Sequence, residues 1–206
     1  MPAGVLAKGK TLIKKYTIVI DSHEFLIELY FSPHKLPADV QDEIARRLGT
    51  RMIEEKPCLG INTETVKSQL ESQDYSCVAF AKNKHHDDEA SGTLQYYKWC
   101  EGKSKAYQLW IGDLCRIVRS SEKPKTSPLA ALMQAFDNIA RDKHLKQIWL
   151  MVENHEPEKT KLPKVYARYG FKITDECKVG DYIIMRKDIT SSRRSTRKFR
   201  RQYPTD

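Results

Sequence analysis

The chain has 206 residues, enough for one domain with a full hydrophobic core. With 40% hydrophobic and 31% charged residues it excludes a disordered or fibrous protein, and it holds no apolar run long enough to cross a bilayer. Its formal charge of +9 is concentrated at one end: six basic residues stand against Asp206 in "SSRRSTRKFRRQYPTD", so the body is only mildly basic.

In chain order, "KTLIKKYTIVIDSHEFLIELYF" reads as two strands turning at "DSHE". "LPADVQDEIARRLG" reads as a helix: Pro37 suits its start, Val40, Ile44 and Leu48 recur every four residues, and Gly49 suits the stop. "NTETVKSQLESQ" is a second helix, with Asn62 or Thr63 as its cap. "YSCVAFAKN" is a strand, "HHDDEASG" a polar turn, and "TLQYYKWC" a further strand. "AYQLWIGDLCRIV" follows the turn "EGK" as a long strand, and Gly112 within it predicts a bulge or a close backbone approach.

A basic loop, "RSSEKPKT", then feeds a helix with Ser127 as N-cap and Pro128 as its first residue. Leu129, Leu132, Met133, Phe136, Ile139 and Ala140 form its apolar stripe. "KQIWLMVEN" is almost continuously apolar, as in a sheet covered on both faces. "LPKVYARYG" is a short helix stopped by Gly170, and "FKIT" and "GDYIIMRKDI" make a closing hairpin around "DECKVG". The basic end is expected to be disordered. There are no internal repeats.

Cys58, Cys77, Cys100, Cys115 and Cys177 are odd in number, widely spaced and form no CxxC pair, which predicts five reduced thiols. With no charged-then-apolar leader, this predicts an intracellular protein, cytoplasmic or nuclear. No metal site is expected: in "NKHHDDE", His85 and His86 are adjacent in a turn and point to different sides. A strand–loop–helix unit offers free N–H groups and a positive dipole end, and Arg116, Arg119, Lys123 and Lys125 beside it suit a pyrophosphate.

The run "WIGDLCRIV…SPLAALMQAF…IWLMVEN…VYARYGFKI…DYIIMRKDI" resembles the GNAT acetyltransferases. Their pattern is a bulged strand, a pyrophosphate loop, a long helix, an apolar strand, a short "lY.k.GF" helix and a closing strand. The resemblance runs from about Tyr75 to Asp188. It implies an α/β (α+β) fold: a mixed, mostly antiparallel sheet with helices on both faces. Residues 35–189 would be the acetyltransferase domain, 1–34 a hairpin extension of it, and 190–206 a flexible basic tail.

It further implies an N-acetyltransferase in which a primary amine attacks acetyl-CoA directly in a ternary complex. Leu114, Cys115, Arg116 and Ile117 would hold the pantetheine arm through their backbone. Lys123, Lys125, Thr126, Ser127, Leu129 and Ala130 would cradle the pyrophosphate. Tyr166, on the family's tyrosine, would protonate the leaving thiolate, and Tyr169 would only pack. The base is Glu153 or Asp113, with His155 a third candidate. The loop departs from the family's "[RQ]xxGx[GA]": "SSEKPKTSPL" has no glycine, and Pro128 lacks an N–H. The alternative is therefore a GNAT-shaped binding protein without catalysis. The partners expected are acetyl-CoA, an unknown amine acceptor, nucleic acid or another anionic surface held by 191–206, and a second copy of the chain. Asp39, Asp42, Glu43, Glu54 and Glu55 are available to line a cationic acceptor's pocket or to stand as exposed helix faces.

Overall fold

The computed structural model describes residues 12–49, 52–53, 56–57, 63–97, 108–116, 128–152 and 162–189. Strands β1 (Ile13–Ile20) and β2 (His23–Phe31) form a hairpin in full register. Its turn is tighter than "DSHE" suggests. Only Asp21 and Ser22 lie between the strands, both with positive φ (46° and 68°), which matches the right-handed twist of a hairpin. After a short 3-10 turn come α1 (Ala38–Gly49), the two-residue strands β3 (Met52–Ile53) and β4 (Lys56–Pro57), and α2 (Thr63–Glu71).

Strands β5 (Cys77–Lys82) and β6 (Asp88–Tyr97) follow. The strand at β6 begins earlier than "TLQYYKWC" implies, because "DDEASG" holds small residues that fit a covered sheet: Ala90 and Ser91 are buried, and Gly92 pairs with Leu114. The turn shrinks to residues 83–87, where the Asn83 side chain accepts the N–H groups of His85 and Asp87 at 2.8 and 3.1 Å. Both histidines are exposed in it. Then come β7 (Gln108–Arg116), α3 (Pro128–Asp142), β8 (Gln147–Val152), α4 (Leu162–Ala167), β9 (Lys172–Ile173) and β10 (Ile183–Asp188).

Eight strands form one sheet in the order β1-β2-β5-β6-β7-β8-β10-β9. Every pairing in it is antiparallel except β7 with β8. The N-terminal hairpin is thus continuous with the sheet, joined through β2 and β5. Alternation along each strand sends one set of side chains to each face. Under α3, Leu132, Phe136 and Ile139 meet Ile27, Ala79, Leu94, Ile111 and Leu150. On the opposite face, Ile44 and Leu48 of α1 and Val66 and Leu70 of α2 cover Tyr30, Val78 and Phe80. Further along that face, Trp110 and Trp149 are covered by Cys177 and Val179 of the turn before β10. The polar edge of β6, with Thr93 and Gln95, lies between these two apolar regions.

A buried ion cluster fixes α1 to the sheet. Glu28, only 2% exposed, meets Lys15 at 2.7 Å, Arg47 at 2.9 Å and Lys82 at 3.1 Å. Arg47 also grips both carboxylate oxygens of Asp88, at 2.7 and 2.9 Å, and stacks on the Phe80 ring 3.6 Å from its centroid. Asp42 and Glu43 are exposed and paired with Lys67 and Arg46, and Asp39 is exposed, so these three acids form a solvated helix face. Glu54 and Glu55 lie outside the described residues.

The expectation of five reduced thiols is corrected. Cys77 is a free buried thiol, but Cys115 and Cys177 each take part in a disulfide. Spacing along a chain does not say which cysteines a sheet brings together, so the pairing had no sequence signal. The thiol argument for an intracellular protein falls with it. Among the described residues no helix is long and apolar enough to cross a membrane.

Candidate functional site

Strands β7 and β8 pair in parallel over Leu109–Ile148, Trp110–Trp149 and Ile111–Leu150. Past these residues they part. Strand β7 continues along β6 to Arg116, and β8 continues along β10 to Val152. The ladder between β7 and β8 ends there, and it ends where β7 is irregular. Gly92 pairs with Leu114 and Leu94 with Ile111, so Gly112 and Asp113 together face Thr93. This is the bulge that Gly112 predicts.

A Cβ on Gly112 would lie 2.8 Å from Thr93 Oγ1 and 3.0 Å from Gln95 Nε2. Glycine lets those two polar side chains lie against the strand. The bulge then turns Asp113 toward them. Thr93 Oγ1 accepts the Asp113 N–H at 2.9 Å and donates to its Oδ2 at 3.1 Å. Tyr75, 1% exposed, lays its hydroxyl 3.4 Å from the same Oδ2 and in close contact with Gln69 Oε1. Burial pushes the Asp113 carboxyl above the ordinary aspartate value, while the bonds from Thr93 and Tyr75 oppose it. A carboxylate so balanced exchanges protons nearer neutrality, which suits a base.

The fold recurs in known proteins. An acetyltransferase of the GNAT family from Listeria monocytogenes 4b F2365 superposes with a TM-score of 0.56 at 13% identity, over 84% of this chain and 99% of that one. An acetyltransferase of the GNAT family from Staphylococcus aureus Mu50 superposes at 0.52 and 11% identity, over 80% and 99%. The chain has the GNAT fold. An N-acetyltransferase from Staphylococcus aureus Mu50 shares it at 0.51 and 13% identity, over 79% and 97%. No family model matches the sequence, and no curated protein matches it either.

In this GNAT fold the residues singled out from sequence fall into three places. Asp113, Leu114, Cys115 and Arg116 lie on the part of β7 that has left β8. The Leu114 side chain packs under α3 and that of Cys115 is buried, so for these two only the backbone is available beside the end of the β7–β8 ladder. Leu129 and Ala130, both half-buried, lie in the first turn of α3, which begins at Pro128 as its fixed φ suggests. Tyr166 lies on α4. Its ring is half-buried and meets Phe171 edge-on at 6.4 Å, and its hydroxyl has no hydrogen-bond partner among the described residues. Burial, with Tyr169 adding to it, raises the Tyr166 pKa. The helix ends in a turn at Gly170 (φ 89°), where Tyr166 accepts the N–H of Tyr169 and of Phe171.

Tyr169 packs against the same core, as its position suggests. Glu153, His155, Ile117, Arg119, Lys123, Lys125, Thr126 and Ser127 lie outside the described residues, as does the basic stretch 191–206. Sequence reasoning missed Tyr75, Gln69, Thr93 and Gln95. They are spread over α2, the link between α2 and β5, and β6, and only the bulge and the α2 packing gather them around Asp113.

Proposed function

We propose that the chain is an acetyl-CoA-dependent N-acetyltransferase acting on a primary amine, either a protein lysine or N-terminus or a small amine. The observation that carries this reading is the bulged strand: in a GNAT fold, the β7–β8 ladder ends where the bulge turns a part-buried carboxylate, Asp113, toward Thr93 and Tyr75. Past Ile111 the side of β7 turned away from β6 has no ladder with β8, which suits the amides of a pantetheine arm, and the α3 start suits a pyrophosphate. Lys123, Lys125, Thr126 and Ser127 would add side-chain donors where the sequence lacks glycine.

In the reaction, the amine nitrogen attacks the thioester carbonyl carbon and the C–S bond breaks. Asp113 accepts the proton the amine must lose, and the Tyr166 phenol gives its proton to the departing sulfur. A raised pKa keeps Tyr166 protonated at neutral pH, as a donor must be. Binding orders the two reactants, which alone lowers the barrier greatly.

Calorimetric titration with acetyl-CoA and CoA should show saturable binding, micromolar or tighter. No binding at millimolar acetyl-CoA would leave a GNAT-shaped binding protein and turn attention to 191–206. With an acceptor found by screening polyamines and lysine peptides, Tyr166→Phe should lower kcat about 10²-fold with CoA affinity retained. Unchanged kcat would remove Tyr166 from the chemistry.

A further inference from the structure

We propose that Tyr75 and Gln69 form a reversible hydrogen-bond relay that satisfies the Asp113 carboxyl whether it is ionised or neutral. They are positioning residues for it, and their bearing on catalysis rests on the reading of Asp113 as base.

The argument begins with proton counting. A phenol has one proton to give. The Tyr75 hydroxyl touches two oxygens, Gln69 Oε1 and Asp113 Oδ2, and lies closer to the first. With the Gln69 carbonyl turned toward it, the phenol gives its proton to Gln69. Its contact with Asp113 is then favourable only when Asp113 is protonated and donates to the phenol oxygen. Rotating the Gln69 amide by half a turn exchanges oxygen for nitrogen. The amide now donates to the phenol, and the phenol donates to the Asp113 carboxylate. Each arrangement gives the phenol one donor and one acceptor partner, and the two differ by the proton on Asp113.

The surroundings fit such a switch. Thr93 is held in one role: its oxygen accepts the Asp113 N–H and its proton is given to Oδ2. No charge offsets the carboxylate among the described residues. Helix α2 presents uncharged Gln69, β6 presents uncharged Thr93 and Gln95, and Cys115 is in a disulfide. The titratable side chain against Asp113 is Tyr75 itself, whose pKa is raised by burial, by Asp113 and by the neighbouring Asp74. In a partly buried place an ionised carboxylate and a neutral one are best served by different partners. A base must pass between the two in every turnover, and the relay lets it do so without leaving a buried polar atom unpaired.

The relay makes a signed prediction. Tyr75→Phe removes both the bond the phenol gives the carboxylate and the one it takes from the neutral acid; the charge-assisted bond is the stronger, so the Asp113 midpoint should rise by about one pH unit. Gln69→Leu removes the competing acceptor and commits the phenol proton to Asp113, so the midpoint should fall. A 13C carboxyl NMR titration of the full chain, with Asp113 assigned through Asp113→Asn, reads both directly and needs no acceptor. Opposite shifts establish the relay. Shifts of the same sign, or none, overturn it, since loosened packing alone gives no such opposition. Gln69 is half-exposed, so Gln69→Leu tolerates the change whether or not Tyr75→Phe folds, and an unchanged or raised midpoint in it overturns the relay by itself.

The kcat–pH profile separates the two claims. With Asp113 as base, the acid limb moves with the NMR midpoint, and Tyr75→Phe is about tenfold slower below the limb, the equivalent of one pH unit. A limb that stays still while the NMR midpoints move in opposite directions keeps the relay and removes Asp113 as the base.

Discussion

Asp113→Asn should lower kcat for acetyl transfer by about 10²- to 10⁴-fold, the range a positioned general base supplies, with acetyl-CoA affinity nearly unchanged. The substitution keeps the shape of the side chain, and with the amide oxygen in the place of Oδ2 it still accepts from Thr93 and Tyr75, so the fold is retained. What it removes is the ability to take a proton from the amine. The pH dependence gives a second check. Burial favours the neutral form of Asp113, so its folded value lies above that of an ordinary aspartate. The base is active only when ionised. Below this raised value kcat should fall, and the limb should vanish in Asp113→Asn. A variant with the full kcat and the same limb would show that another group, Glu153 or His155, takes the proton.

The largest stability effect is expected at Arg47. Arg47→Ala should cost about 3–5 kcal/mol in urea unfolding, the usual consequence of removing one partner from a buried ion cluster. Arg47 bonds Glu28, Asp88 and the Tyr30 hydroxyl at once and covers the Phe80 ring. Glu28 is the sensitive partner. Burial alone would raise its pKa, but Lys15, Lys82 and Arg47 hold it at about 2. The unfolded glutamate titrates near 4.3, so the cluster's contribution is fully present above that value. It is lost as pH falls from about 5 toward 2. Arg47→Met restores apolar volume over Phe80 yet leaves Glu28 with less positive charge. Its acid unfolding should therefore begin at a higher pH than in the parent. Equal urea midpoints for parent and Arg47→Ala would mean that Lys15 and Lys82 alone satisfy the cluster.

The helices were the most legible part of the sequence. The stripe from Leu129 to Ala140 and the Val40–Ile44–Leu48 repeat are local patterns, set by the pitch of one helix, and α3 and α1 follow them closely. Proline before or within a first turn and glycine after the last one marked three of the ends. Strands were read from β-branched and aromatic runs, which is why β6 was begun too late: "DDEASG" carries none of those residues, yet its small side chains fit a covered strand. The two-residue turn at Asp21–Ser22 was likewise blurred, since neither residue is the glycine that usually announces it.

The site was legible in outline only. Gly112 announced its bulge, and Asp113 and Tyr166 could be singled out because they stand at fixed places in a run of elements that resembles a known order.

By itself, then, the sequence determined the order and type of the elements, the two apolar helix faces and the irregularity in β7, because each depends on residues a few positions apart. The tertiary structure decided what surrounds them. Tyr75 reaches Asp113 across 38 residues and Thr93 across 20. Arg47 reaches Asp88 across 41, and two cysteines find disulfide partners. Those contacts depend on strand register, on one extra residue in a bulge and on how α1 and α2 lie across the sheet. No local pattern carries that information, because the free energy that selects it belongs to the packed core as a whole.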